Sequence, residues 1–242
     1  MHRLARFCYA AYVYLVFACF GFTAFLGAHL LRDLKRRRMA ARRSARLFLR
    51  FAGMPLTVAG LDHLPEGQCV VVANHQSYLD GLVFTAALPP RFGFVIKREM
   101  ARVPLAGSTL ERIGAEFVER FDRAQGAADA RRVLRQAESG LSLVFFPEGT
   151  FSSQPGLLKF HAGAFHTAAR AGCPIVPAIV RGTREALPPS GMLPHRSRIR
   201  VEFLPALGLP AEPHSQAAAA QLREQARSAI LHQLREPDLA AA

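Results

Sequence analysis

From Phe7 to Leu31 the chain runs for 25 residues without an Asp, Glu, Lys or Arg. Wound as a helix, such a run is about 37 Å long, enough to cross a hydrocarbon core with some tilt. A cleaved signal peptide has an apolar core of about 7–15 residues followed by a small-residue cleavage site. This run is longer, and arginines follow it. The sequence therefore predicts an uncleaved N-terminal membrane anchor, spanning or re-entrant. Tyr9, Tyr12 and Tyr14 gather toward one end, where amphipathic rings sit at headgroup depth.

The charge is as uneven as the hydropathy. Residues 1–50 hold eleven Arg or Lys and one Asp, a net of +10 out of the total +13, leaving only +3 for residues 51–242. Arg32, Lys35, Arg36, Arg37, Arg38, Arg42, Arg43, Arg46 and Arg50 follow the apolar run, against Arg3 and Arg6 before it. For a crossing helix the positive-inside rule then puts the rest of the chain in the cytoplasm. A cluster of this kind also attracts anionic headgroups, at about 1 kcal/mol per basic residue near the surface. Nucleic acid is not an expected partner, because the basic run lacks interleaved aromatics and abuts the apolar segment. Two regions follow: an anchor with its basic segment, 1–50, and a folded domain, 51–242.

Beyond residue 50, short β-branched runs alternate with helical stretches. Strands are predicted at Leu56–Ala59, Cys69–Ala73, Phe92–Ile96, Glu116–Val118, Leu141–Phe146, Ile175–Val180 and Arg198–Phe203. Several are continuous apolar runs, as in strands covered on both faces. Helices are predicted from Ser77 to Ala87, Ala127 to Ser139, Ala162 to Ala171 and Ser215 to Leu234, two of them stopped by Gly140 and Gly172. This pattern gives a single α/β domain with a mainly parallel or mixed sheet flanked by helices. Cys8, Cys19, Cys69 and Cys173 have no CxxC spacing or zinc-type cluster, so they are read as reduced, packed thiols, and no metal site is expected.

In such sheets ligands bind beyond the carboxyl ends of strands. At the first such junction, Cys69-Val-Val-Val-Ala-Asn-His-Gln-Ser-Tyr-Leu-Asp80, a buried strand gives way to polar residues. His75 and Asp80 are five apart, about 140° around an ideal helix, so they cannot meet across a helical face. They can meet if His75 lies in the loop and Asp80 in the first helical turn, with Ser77 as N-cap. Spacing alone leaves a second reading, because Ser77-x-x-Asp80 is also a relative of the capping box. Glu148-Gly149-Thr150 ends a second apolar strand, and Gly149 permits a positive-φ turn there. Pro147 and Thr150 are equally ordinary turn formers. Lys97 and Arg120 each follow or end a strand and can hold a phosphate, or can be solvated charges.

Asn74-His75-Gln-Ser-Tyr-Leu-Asp80 resembles the H-x-x-x-x-D motif of the glycerolipid acyltransferase family, which includes the 1-acylglycerol-3-phosphate acyltransferases. Three further stretches follow in that family's order. Phe94-Val-Ile-Lys97-Arg-Glu99 and Val103-Pro-Leu lead to Gly114-Ala-Glu-Phe117-Val-Glu-Arg120, which is similar to the second block. Phe146-Pro-Glu148-Gly149-Thr150-Phe-Ser152 is similar to the third, and Ile175-Val-Pro177 to the fourth. The resemblance covers roughly residues 55–205. It implies acyl transfer from a thioester, acyl-CoA or acyl carrier protein, to the hydroxyl of a lysophospholipid acceptor, with no further cofactor. His75 is implied as the base and Asp80 as its orienter. Lys97, Arg120, Glu148, Gly149 and Thr150 are implied in substrate binding, with Glu148 bonding the glycerol or ordering the loop. The implied location is the cytoplasmic face of a bacterial inner membrane, with membrane lipid as a partner.

One departure bears on the acceptor. Phosphatidate-forming members of the family commonly carry Arg directly after Glu-Gly-Thr, where this chain has Phe151. The next stretch, Leu157 to Phe165, lacks the two consecutive lysines often seen there, leaving Lys159 and Arg181 to compensate. The pattern thus allows 1-acylglycerol 3-phosphate or an acceptor with a bulkier or less anionic headgroup, such as a lysophosphatidylethanolamine or a lyso-amino-acid lipid. A non-catalytic lipid-binding protein of the same fold is the rival from another class. Binding alone needs neither His75 nor Asp80.

Overall fold

The computed structural model describes residues 2–119, 122–210 and 215–240. In chain order the elements are α1 (His2–Leu30), α2 (Leu34–Phe51), β1 (Leu56–Ala59), β2 (Val70–Ala73), α3 (Asp80–Ala87), β3 (Phe92–Lys97), α4 (Ala106–Arg112), β4 (Glu116–Val118), α5 (Arg123–Glu138), β5 (Ser142–Phe145), α6 (Gly163–Ala171), β6 (Ile175–Arg181), α7 (Thr183–Ala186), β7 (Ile199–Phe203) and α8 (Gln216–Leu234). The strands form a seven-stranded sheet in the order β1-β7-β6-β2-β5-β3-β4. Neighbours are parallel except β6 and β7, so the sheet is mixed.

The central strand shows why its sequence is apolar without alternation. Val70 to Ala73 are fully buried. Val71 and Ala73 pack with Phe48 and Leu49 of α2 and Val83 and Phe84 of α3. Val70 and Val72 pack on the opposite face with Phe165 and Ala168 of α6 and Leu222 and Ala226 of α8. Side chains alternate faces, and both faces are covered by helices.

The N-terminal segment departs from a simple anchor. After the short turn at Leu31–Asp33, α2 starts on Asp33, whose carboxylate accepts from Arg36 N at 2.8 Å, and runs back against α1. A Cβ on Gly27 would lie 2.6 Å from Ala40 Cβ, so only glycine allows the two helices to pack this closely. Along one half of α1, the Tyr9 hydroxyl donates to Ala52 O at 2.7 Å, Tyr12 to Phe51 O at 3.1 Å and Tyr14 to Met192 O. At its other end Ala28 packs with Ala41 and Ile113. Both ends of α1 therefore rest on the folded domain, and its tyrosines serve as donors to protein carbonyls. The helix is still long and apolar enough to cross a membrane, and Leu4, Phe7, Leu15, Phe22 and Leu30 stand exposed on it. Cys8 and Cys19, expected to be packed, are also exposed there, whereas Cys69 and Cys173 are buried.

The basic segment, read as a headgroup and topology signal, divides its charges between two tasks. Arg38 is buried and donates to Ile113 O at 2.8 Å and Arg91 O at 3.0 Å. Arg46 donates to Ala86 O at 2.8 Å and Arg42 to Ala87 O at 3.4 Å. The Ala86 and Ala87 carbonyls close α3 and that of Ile113 follows α4, helix ends that lack intrahelical donors and carry partial negative charge. Arg32, Lys35, Arg36, Arg43 and Arg50 remain exposed to solvent or a surface.

Candidate active site

Strand register brings two loops together. Val72 of β2 pairs with Phe145 of β5, so His75 and Glu148 each lie three residues beyond a matched pair. The backbone N–H of His75 donates to Glu148 Oε1 at 2.6 Å, joining the loops directly. Asn74 extends the opposite side of the strand: its side chain donates to Val180 O at 3.0 Å and accepts from Val180 N at 2.8 Å. The β2–α3 loop is thereby held by β5's loop on one side and by β6 on the other.

His75 and Asp80 meet. His75 Nδ1 lies 2.7 Å from Asp80 Oδ2, with the imidazole 19 % exposed and the carboxylate fully buried. The same Oδ2 accepts from Gln76 N at 2.6 Å and Ser77 N at 2.9 Å. The two readings left open by spacing are therefore both realised by one oxygen. The helix boundary differs from expectation, since α3 begins at Asp80 and Ser77 is not its N-cap. Ser77 Oγ instead donates to Leu187 O at 2.8 Å and accepts from Leu79 N at 3.2 Å. The physical reason is competition: Asp80 reaches back to the two loop amides, so a turn precedes the helix.

An aromatic wall surrounds the imidazole. Phe146 stacks on it at 4.6 Å between centroids and Phe151 meets it edge-on at 4.7 Å. Tyr78, itself exposed, meets Phe151 edge-on at 4.7 Å. With Nδ1 engaged by a carboxylate, Nε2 is the nitrogen free to exchange a proton with an incoming group.

Glu148 is almost fully buried, and both its oxygens are committed to backbone: Oε1 to His75 N and Oε2 to Leu158 N at 2.8 Å. These two bonds tie the His75 loop to the loop after β5, as the second of its two expected roles requires. Burial pushes its carboxyl from 4.5 up to about 7. The Asp80 charge adds to the rise, while the two amides and Arg184 oppose it. Gly149 has the positive φ (74°) its position requires, and Thr150 is exposed. Lys97, at the end of β3, is half-buried with its Nζ 5.8 Å from the Tyr78 ring centroid, so it joins the same cluster through Tyr78 and Phe151. Arg120 lies outside the described residues. Of the two cations expected to compensate for Phe151, Arg181 is turned toward α8 and β7, donating to Gln233 O and lying 4.0 Å from Glu202, while Lys159 is exposed.

The second block is fixed by a residue that its sequence pattern did not single out. Asp129 on α5 is buried and accepts from Arg98 Nη2 at 2.5 Å, Arg132 at 2.8 Å, Gln125 at 3.0 Å and Glu119 N at 2.9 Å. Burial opposes ionisation, but these donors hold its carboxyl well below the usual range. Sequence reasoning also passed over Gln76, Arg184 and Glu236, which meet beside the His75 loop: Gln76 Nε2 lies 2.9 Å from Glu236 Oε1, and Arg184 pairs with the same carboxylate. Nothing in the sequence pattern links residue 236 to residue 76.

Comparison with known proteins gives the family and the fold. The family model described as Acyltransferase matches residues 55–181, just over half of the chain. A Brassica napus protein, the chloroplastic 1-acyl-sn-glycerol-3-phosphate acyltransferase BAT2, is 34% identical over 143 residues, covering 57% of this chain and 41% of its own. The Escherichia coli 1-acyl-sn-glycerol-3-phosphate acyltransferase is 30% identical over 159 residues, covering 65% and 62%. This chain thus spans about two fifths of the length of the plant relative. The crystal structure of PlsC, the 1-acyl-sn-glycerophosphate acyltransferase from Thermotoga maritima, superimposes with a TM-score of 0.81 at 18% identity over 97% of both chains, a likeness of fold. The matched segment contains His75, Asp80 and Glu148, and on that match the chain belongs to the acyltransferase family.

Proposed function

We propose that this chain is a membrane-associated O-acyltransferase that moves a fatty acyl group from a thioester to the free hydroxyl of a lysophospholipid. The acceptor we propose is 1-acyl-sn-glycerol 3-phosphate, giving phosphatidic acid. The single observation that carries the reading is the 2.7 Å contact between His75 Nδ1 and a fully buried Asp80 carboxylate, with the ring itself partly open. Nε2 takes the proton of the acceptor hydroxyl as its oxygen attacks the thioester carbonyl carbon. The tetrahedral adduct then expels the thiolate, which takes the proton back from the imidazolium. Asp80 holds the tautomer and stabilises the imidazolium between these steps, the role of the carboxylate in a serine-protease triad. A thioester is already activated, so this route calls on no covalent enzyme intermediate and no cofactor beyond the donor, acyl-CoA or acyl carrier protein.

A second acceptor class is favoured by one observation. Phe151 occupies the position after Glu-Gly-Thr and places its edge against His75, so the wall nearest the base is aromatic rather than cationic. A larger or less anionic headgroup, such as that of lysophosphatidylethanolamine or a lyso-amino-acid lipid, suits such a wall. Purified protein offered a panel of lyso-lipids with labelled acyl-CoA and acyl carrier protein tests both. Labelled phosphatidic acid as the fastest product supports the first reading. Faster acylation of a zwitterionic or amino-acid lyso-lipid selects the second, and no ester product on any acceptor overturns both.

The membrane seat follows from the same surfaces. The exposed apolar side chains of α1, together with exposed Leu47 and Phe51 of α2, offer a face for a leaflet. Arg32, Lys35, Arg36, Arg43 and Arg50 offer charge to anionic headgroups. We propose the cytoplasmic face of a bacterial inner membrane on the strength of the resemblance and the thioester donor.

A further inference from the structure

The chain does not trail away after α8. Arg235 takes a left-handed backbone (φ 56°) that ends the helix and turns the next residues across the loop that follows Glu148. Leu157 N donates to Pro237 O at 2.9 Å and Leu239 N donates to Leu157 O at 3.0 Å, a short parallel bridge. Asp238 is held in turn by Arg227 of α8 at 2.9 and 2.5 Å. Gly156 lies directly beneath this strap. A Cβ there would come within 2.4 Å of the Leu239 side chain, and its φ of 143° is one that side-chain-bearing residues avoid.

Glu236 is the point where the strap meets the site. Its Oε1 accepts from Gln76 Nε2 at 2.9 Å and from Arg184 Nη1 at 3.0 Å. Its Oε2 accepts from Gly156 N at 2.6 Å and from Arg184 Nη2 at 3.1 Å. Gln76 adjoins His75 and gives its own N–H to Asp80 at 2.6 Å. A closed circuit results. His75 N is bonded to Glu148, Glu148 to Leu158 N, Leu157 to the strap, and the strap through Glu236 to Gln76. Both loops that bear the site are tied on the inside by Glu148 and on the outside by Glu236. The Glu236 carboxylate also pairs with Arg184, a mostly buried guanidinium whose charge reaches Glu148.

We infer that Glu236 is a positioning residue for acyl transfer, and that the C-terminal strap 235–240 fixes the His75 imidazole and the Phe151 wall in one geometry through Gln76 and Gly156. The inference rests on the proposed role of His75. Displacements of the order of 1 Å near reacting atoms cost about 100-fold in rate, so the loss is expected in kcat rather than in substrate capture.

The test compares full-length wild type with Glu236→Ala, Glu236→Gln, Gln76→Ala, the Glu236→Ala/Gln76→Ala double variant and His75→Ala. For each, kcat and KM are measured with the acceptor that the wild type uses fastest, below every variant's unfolding midpoint. Glu236→Ala is expected to lower kcat by about 10- to 100-fold with KM within about twofold. The double variant is expected to fall little further than Glu236→Ala alone, because both remove one contact. Glu236→Gln keeps an acceptor oxygen and the same shape, serves as the readout if the alanine variant does not fold, and is expected to lose severalfold in kcat. A folded Glu236→Ala or Glu236→Gln with kcat within twofold of wild type overturns the inference, as do losses that simply multiply in the double variant. An unimpaired His75→Ala would sink the proposed function. An inactive His75→Ala beside unimpaired Glu236 variants would sink the strap alone.

Discussion

Replacing Asp80 with Asn removes one charge from the site while keeping the shape of the side chain, which makes its consequence calculable. Oδ2 accepts three hydrogen bonds, from His75 Nδ1, Gln76 N and Ser77 N, while the buried Oδ1 has no partner among the described residues. Two backbone N–H groups therefore dictate how an asparagine must sit. Its oxygen takes the Oδ2 place, because an NH2 there would face two donors, and its nitrogen takes the empty Oδ1 place. The His75 tautomer is then preserved, unlike in serine proteases, where the equivalent change inverts the tautomer and costs about 10⁴-fold. What is lost is the charge that stabilises the imidazolium. A hydrogen bond to a charged group contributes about 1.5–3 kcal/mol, and full burial of Asp80 argues for the upper figure. About 3 kcal/mol corresponds to a fall of roughly 150-fold in kcat. Single-turnover transfer of a labelled acyl group to a lyso-lipid, beside a thermal unfolding curve, measures it. A kcat within threefold of wild type would show that the carboxylate does not serve the imidazole, and a loss beyond 10⁴-fold would refute the argument that the backbone fixes the tautomer.

Phe151→Arg supplies the cation that the resemblance to phosphatidate-forming members leads one to expect after Glu-Gly-Thr, at a side chain that touches both His75 and Tyr78. It is expected to raise kcat/KM for 1-acylglycerol 3-phosphate by at least ~10-fold, one charge-assisted bond to phosphate, while lowering it for a zwitterionic acceptor. A flat or reduced value for the phosphate acceptor would place headgroup recognition elsewhere. Glu148 gives a pH prediction of definite sign. Its carboxyl rises from 4.5 to about 7 in the folded chain, so between those values the folded state binds the proton that the unfolded state has released. Stability therefore falls as pH climbs through that window, by about 3 kcal/mol in total, and stays low above it. Urea unfolding at pH 5 and pH 8 should show this fall in wild type and not in Glu148→Gln. Parallel curves for the two proteins would contradict it.

The strands of the sheet were legible because Val70–Ala73 and Ile175–Val180 are apolar without alternation, which only two-sided cover explains. The meeting of His75 with Asp80 was legible as one of two arrangements. The register that sets Glu148 beside it was not, since pairing of Val72 with Phe145 depends on strand order. The arginines of α2 mark the limit of reading charge from sequence. Arg38 and Arg46 reach carbonyls at Ile113 and Ala86, and an identical run of letters would serve a leaflet equally well. The tyrosines of α1 illustrate the same point, because a hydroxyl bonded to Ala52 O and one at headgroup depth share one sequence. Glu236 was invisible for a different reason: its partners Gln76, Gly156 and Arg184 are brought to it only by the closed fold.

The sharpest trial of the account is His75→Ala, assayed for acyl transfer with the best lyso-lipid and, in the same preparation, for co-sedimentation with anionic vesicles. Turnover should drop to the uncatalysed background while vesicle binding, carried by α1 and α2, stays at the wild-type level. Ester formation at an undiminished rate would mean that the imidazole steadied by Asp80 is not the base on which the chemistry depends.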